Sequence, residues 1–169
     1  MSTAASSDPE SRPVIRAARD DDAGGLIALV GACWGEYPGC VLDVDAEEPH
    51  LRGIASAYAE WGGEVFVAEQ AGVVVGSVGW VPYAAAGVEL RMLYVAAVAR
   101  RRGLGERLAG LVEGAARERR AGFVELWSDT RFHDGHRLYG RLGYVRTGAV
   151  RELHDLSRTV EYEFRKRLR

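Results

Sequence analysis

The chain has 169 residues, which at about 150 residues per domain allows one domain and hardly two. Apolar residues make up 47% and charged residues 27%, a globular balance and not a disordered one. A formal charge of −2 gives no electrostatic case for nucleic acid or an anionic membrane surface, and no apolar run reaches the roughly 18 residues of a membrane span.

Residues 1–12 are small, polar and prolyl, and read as a loose N-terminal tail before one domain over 13–169. They hold no apolar h-region, so no secretory signal is expected. Val14 to Ala17 reads as a first strand. Asp20, Asp21 and Asp22 offer N-caps to a helix whose apolar residues Leu26, Leu29, Val30 and Cys33 step as i, i+3, i+4, i+7. Gly35 to Pro49 is loop-like and acidic. Pro49 opens a second helix striped by Leu51, Ile54, Ala55 and Tyr58 and closed by Gly62-Gly63.

Glu64 to Glu69 and Val73 to Val81 form a hairpin turned at Gln70-Ala71-Gly72. Val88 to Val95 is a further strand. Leu104 to Arg120 is a helix with Leu104, Leu108, Leu111, Val112 and Ala115 inward. A strand over Phe123 to Ser128 and a helix over roughly Arg131 to Leu142 follow. Tyr144 to Thr147 and Val160 to Lys166 are the last strands, with Val160, Tyr162 and Phe164 alternating in the second. Strands alternating with helices, with hairpins at both ends, imply a mixed sheet with helices packed on it.

The strongest chemical signal is Arg100-Arg101-Arg102-Gly103-Leu104-Gly105, between a strand and a long helix. The first amides of a helix have no internal partner and carry partial positive charge, so they bind anions. Two glycines let a ligand approach the backbone, and three arginines add charge. A P-loop would need Gly-Lys-Ser/Thr, which is absent. A dinucleotide fingerprint would need a small residue where Leu108 stands.

These residues resemble the GNAT superfamily of acetyl-CoA-dependent N-acetyltransferases. The resemblance runs from about Glu64 to Thr147. It rests on Arg100-x-x-Gly103-x-Gly105 and on Leu138-Tyr139-(x)3-Gly143-Tyr144. It implies an α/β (α+β) fold: a six- to seven-stranded, mixed, mostly antiparallel sheet, splayed at the centre and flanked by about four helices. It implies acetyl-CoA as co-substrate. The backbone of Leu93, Tyr94 and Val95 would bind the pantetheine, and Arg100, Arg101, Arg102, Gly103, Leu104, Gly105 and Glu106 the pyrophosphate. Glu89 would be the general base, since an amine with a pKa near 10 must lose a proton before it attacks. Tyr139 would serve the departing thiolate, by giving it a proton or a hydrogen bond. The family's cofactor-contacting asparagine, seven residues before that tyrosine, is Phe132 here. Arg131, His133 and Asp134 are the candidate substitutes.

The acceptor pocket implied by the resemblance takes in Trp34, Tyr37, the acids from Asp43 to Glu48, and the loop 148–159 with His154. The acceptor is then a primary amine, small-molecule in the leading reading and protein-borne in the other, attacked in a ternary complex. The acidic run reads more readily as a solvated loop. His133 and His136 share a helix at i, i+3 with no third ligand, so no metal is expected. Cys33 and Cys40, the only cysteines, are too few for a disulfide framework and lie outside the matching stretch. A cytoplasmic setting follows, as a monomer or a homodimer. The alternative functions are a non-catalytic acyl-CoA-binding or sensing module and a protein holding another nucleotide at the glycine loop.

Overall fold

The computed structural model describes residues 11–169, so most of the expected tail lies outside the described residues. The strands are β1 (Val14–Ala17), β2 (Glu64–Gln70), β3 (Val73–Tyr83), β4 (Gly87–Val95), β5 (Phe123–Asp129), β6 (Val145–Glu152) and β7 (Val160–Arg167). The α-helices are α1 (Ala23–Gly35), α2 (Ile54–Glu60), α3 (Leu104–Glu118) and α4 (His133–Arg141). One seven-stranded sheet runs in the order β1-β2-β3-β4-β5-β7-β6. Every neighbouring pair is antiparallel except β4 and β5.

Two cores follow from strand alternation. On β2, Val65 and Val67 join Leu26, Leu51, Ile54 and Tyr58 from the α1–α2 side. Phe66 and Ala68 join the other core, around Leu104, Leu108 and Val112 of α3. The inward stripe on α3 is close to that expected, with Ala116 buried where Leu111 is half-buried. Asp20 and Asp22 do not cap α1. Asp20 accepts the Ser56 amide in the first turn of α2, and Asp22 is held by Arg16. The second helix does not run unbroken from Pro49: a single 3-10 turn covers Pro49–Gly53, and Gly53 (φ −146°, ψ 59°) separates it from α2. Strand β6 extends well past Thr147 to Glu152, with all eight residues exposed at the sheet edge.

Two departures in β4 shape the molecule's centre. Gly79 pairs with Arg91 but Ser77 with Tyr94, so β4 carries one extra residue. Met92 sits inside that bulge at φ +57°. The fully buried Ser77 donates its hydroxyl to the Met92 carbonyl at 2.7 Å. The alternation of side chains along β4 is therefore broken at the bulge. Leu90 packs in the α3 core and Met92 against the α1–α2 core. In addition, β4 pairs with β5 only over Gly87–Glu89 and Phe123–Glu125. Beyond Glu89 the two strands part, and the main chain of Leu93 to Val95 faces an opening instead of a neighbouring strand.

Candidate active site

The opening between β4 and β5 is occupied by two cavities. The first, of about 450 Å³, lies between the end of β4, the start of α3 and α4. Gly103 caps α3 in the left-handed region (φ +76°), and a Cβ there would meet nothing within 4 Å. Glycine is needed for the backbone turn, and the space above it is open. Gly105 has a different reason: its Cβ would stand 2.9 Å from Leu138, so it lets α4 approach α3. No side chain caps the α3 N-terminus, so its first amides are left for a ligand.

The arginines divide sharply. Arg100 is not free for an anion: it donates to both Glu36 oxygens at 2.7 Å and to the Val95 carbonyl at 2.9 Å. Arg101 lines the cavity without an ion pair among the described residues, whereas Arg102 does not line it. Arg137 and Arg141, one turn apart on α4, also line it, with Arg137 paired to Asp134. Sequence reasoning missed these two. The signal was their spacing of four about Tyr139, which puts them on one side of the helix.

The second cavity, of about 440 Å³, lies on the other side of Tyr139, under the loop before α2 and the turn between β6 and β7. Glu89 and Trp34 line it, together with Tyr58, Trp61 and Trp127. Glu89 is 8% exposed, and its Oε2 accepts from Arg91 Nη2 at 2.8 Å. Trp34 Nε1 donates to the Tyr94 hydroxyl at 3.0 Å. Leu93, Tyr94, Ser128, Phe132 and Tyr139 line both cavities and form the boundary between them.

Tyr139 is 7% exposed, and its hydroxyl has no hydrogen-bond partner among the described residues. Its ring packs on Tyr144 and Phe164 at 6.0 and 5.6 Å. Burial pushes its pKa well above the usual phenol value, so it keeps its proton. Of the remaining candidates, Tyr37 lines the first cavity instead of the second and packs on Phe132 at 4.9 Å. His154 is exposed and lines neither. Arg131 is committed to Asp129 at 2.7 Å, and the His133 ring lies 6.1 Å from that of His136. No group of three or more His, Cys, Asp or Glu converges on a metal position among the described residues. No described helix is long and apolar enough to cross a membrane.

A family model for the acetyltransferase (GNAT) domain matches residues 61–146, just over half of the chain. Solved structures with the same fold include an acetyltransferase of the GNAT family from Staphylococcus aureus Mu50, with a TM-score of 0.79 and 18% identity. That match covers 94% of this chain and 100% of the other. A ribosomal-protein-alanine N-acetyltransferase from Brucella melitensis has a TM-score of 0.67 and 24% identity, covering 92% of this chain and 99% of that one. A putative acetyltransferase from Salmonella typhimurium, solved with its cofactor acetyl-CoA, has a TM-score of 0.68 and 20% identity. It is covered over 95% of its length, against 94% of this chain. No curated protein sequence matches the chain significantly.

Proposed function

The chain belongs to the GNAT acetyltransferase domain family, and on that premise we propose that it transfers acetyl from acetyl-CoA to a primary amine held in the second cavity. The observation that carries the reading is the shared boundary: one cavity opens on a helix N-terminus, the other on carboxylates, and Tyr139 lines both. The first cavity fits acetyl-CoA. Its α3 amides and Arg101 suit a pyrophosphate, and the main chain of Leu93 and Tyr94, which has no β5 partner beside it, suits an extended amide-bearing arm. The Val95 carbonyl already accepts from Arg100 and contributes less. Bound there, acetyl-CoA supplies an activated acyl group.

The residues of this chain then divide the proton work. Glu89, with Oε2 held by Arg91, has its other oxygen to accept a proton from the amine, directly or through one water. Tyr139 presents a protonated hydroxyl to a leaving thiolate. Its raised pKa makes it a weak acid, so it acts by hydrogen bonding to developing negative charge more than by full proton transfer. Phe132 replaces a polar contact with an aromatic wall packed on Tyr37. The size of the second cavity, about 440 Å³, favours a small-molecule amine over a protein chain.

The test is a calorimetric titration with acetyl-CoA, with NAD as control, followed by CoA release from a panel of amines. One-to-one binding of acetyl-CoA, silence with NAD and amine-dependent CoA release are expected. Absence of acetyl-CoA binding by folded protein would refute the reading. Binding without release to any amine would point to a sensing module.

A further inference from the structure

Ser128, near the end of β5, is 6% exposed and lines both cavities. Its Oγ lies 3.2 Å from Nε2 of His136 on α4. His136 stands three residues before Tyr139, so both side chains leave the same side of that helix. The division of proton work between Glu89 and Tyr139 uses neither Ser128 nor His136.

The His136 ring is half-buried, with Phe164 5.1 Å and Tyr162 5.9 Å away on β7. Burial pushes its pKa below the ordinary value. The main chain and carboxylate of Asp129 on β5 oppose this, while His133 on the same helix and Arg146 on β6 add to it. The ring is then neutral at neutral pH and able to take a proton. The Asp129 hydrogen bond favours the protonated ring, which makes the main-chain carbonyl an acceptor from a ring N–H. The tautomer that fits both contacts carries its proton on Nδ1, towards that carbonyl, and accepts the Ser128 hydroxyl at Nε2. A hydroxyl, a base within reach and a third group orienting the base are the parts of a proton-transfer pair.

The chemistry has a place for such a pair. An acceptor that enters as an ammonium loses two protons on becoming an amide. The nitrogen lone pair forms the C–N bond and the C–S bonding pair leaves with the sulfur. One of the two protons ends on that sulfur, and the other goes to solvent. Glu89 takes one. Tyr139, held protonated by burial, stabilises the sulfur without taking up the second.

We propose that Ser128 and His136 form a relay that carries this second proton from the acceptor nitrogen to the sulfur. The proposal deepens the acetyl-transfer reading and rests on it. Ser128 Oγ takes the proton from the nitrogen as its own passes to His136 Nε2. The reverse movement delivers a proton through Ser128 to the thiolate. The pair ends neutral, as it began, and only the Glu89 proton is left for solvent. Ser128 is the group that touches the reacting atoms, and His136 acts through it. One hydroxyl open to both cavities lets a single relay serve both ends of the transfer.

The test reads CoA thiol release from acetyl-CoA with benzylamine, tyramine and spermidine, alongside acetyl-CoA Kd by calorimetry and Tm. Ser128→Ala and His136→Gln should each lower kcat by about a hundredfold, the lower end of general acid–base catalysis, with Kd little changed. The double variant should lose no more than either single one, because a relay fails once either half is missing. Ser128→Thr, which keeps a hydroxyl, should recover part of the rate. A second readout needs no turnover: nitrogen NMR of the four histidines in the free protein, with His136 assigned by its absence from His136→Gln. Nε2 should be unprotonated at pH 7, and its signal should shift in Ser128→Ala. A protonated Nε2 at pH 7, or additive losses in the double variant, would overturn the proposal. A pair that only fastens α4 to β5 would lower Tm and spare kcat. A wild type that transfers acetyl while folded Ser128→Ala keeps full turnover therefore refutes the relay alone. A wild type that releases no CoA to any of the three amines refutes acetyl transfer, and the relay with it.

Discussion

Replacing Ser77 with alanine tests whether the β4 bulge builds the opening. The side chain is fully buried, and its hydroxyl donates to the Met92 carbonyl at 2.7 Å. Alanine removes the donor and leaves a buried carbonyl short of a partner, a loss of about 1–3 kcal/mol. Met92 is held at φ +57°, which costs about 1 kcal/mol for a residue with a Cβ. Relaxation of Met92 would recover part of that, so the net loss falls in the lower half of the range. For a chain of this size each kcal/mol shifts Tm by about 2–4 °C. A fall of about 2–8 °C is therefore expected in a thermal melt, with the urea m-value unchanged. Because Leu93 and Tyr94 follow the bulge directly, acetyl-CoA affinity should fall as well, as measured by calorimetry. A variant with wild-type Tm and wild-type acetyl-CoA affinity would refute the claim that this hydrogen bond holds the bulge.

Tyr139→Phe should lower kcat by about a hundredfold, the scale for losing one donor to developing charge, with the acetyl-CoA Kd little changed. Unchanged turnover would remove that role. Glu89→Gln should lower the rate and flatten its rise with pH, and an unaltered pH profile would count against Glu89 as base. Gly103→Ala places a Cβ at φ +76° in open space, so it should cost about 1 kcal/mol of stability and weaken acetyl-CoA binding; a neutral effect on both would refute the cap assignment. The Asp22 pKa is held down by hydrogen bonds from Arg16. Its stabilisation is present above the unfolded value of about 3.9 and is lost as pH falls through the lower folded value. Asp22→Asn should therefore flatten the acid limb of stability below about pH 4, read from urea midpoints against pH.

Local chemistry made part of this molecule legible. The α3 stripe, the glycine at its start and Tyr139 are signals carried within a few residues, and all lie where their spacing puts them. The resemblance supplied the splayed sheet. What stayed hidden depends on distant partners. Nothing near Arg100 announces that Glu36, 64 residues earlier, claims its guanidinium. Nothing in Leu90-Arg91-Met92 marks a bulge, because methionine at positive φ is set by Ser77 and not by its own preference. Strand β6 looked short because alternation is visible only where one face is buried, and none of its residues is. Glu48 read as part of a solvated acidic loop. The structure turns it inward, half-buried in the lining of the second cavity beside His50.

Helix α1 is a wall shared by both chambers. Consecutive residues face opposite ways: Cys33 lines the first cavity and Trp34 the second. The same helix end is tied to the glycine loop through Glu36 and Arg100, and to β4 through Trp34 and Tyr94. This one turn therefore contributes lining to both chambers at once. By thermodynamic reciprocity, whatever factor the first ligand applies to the affinity of the second is returned unchanged. Any coupling carried by this turn of α1 is therefore the same size whichever chamber is filled first.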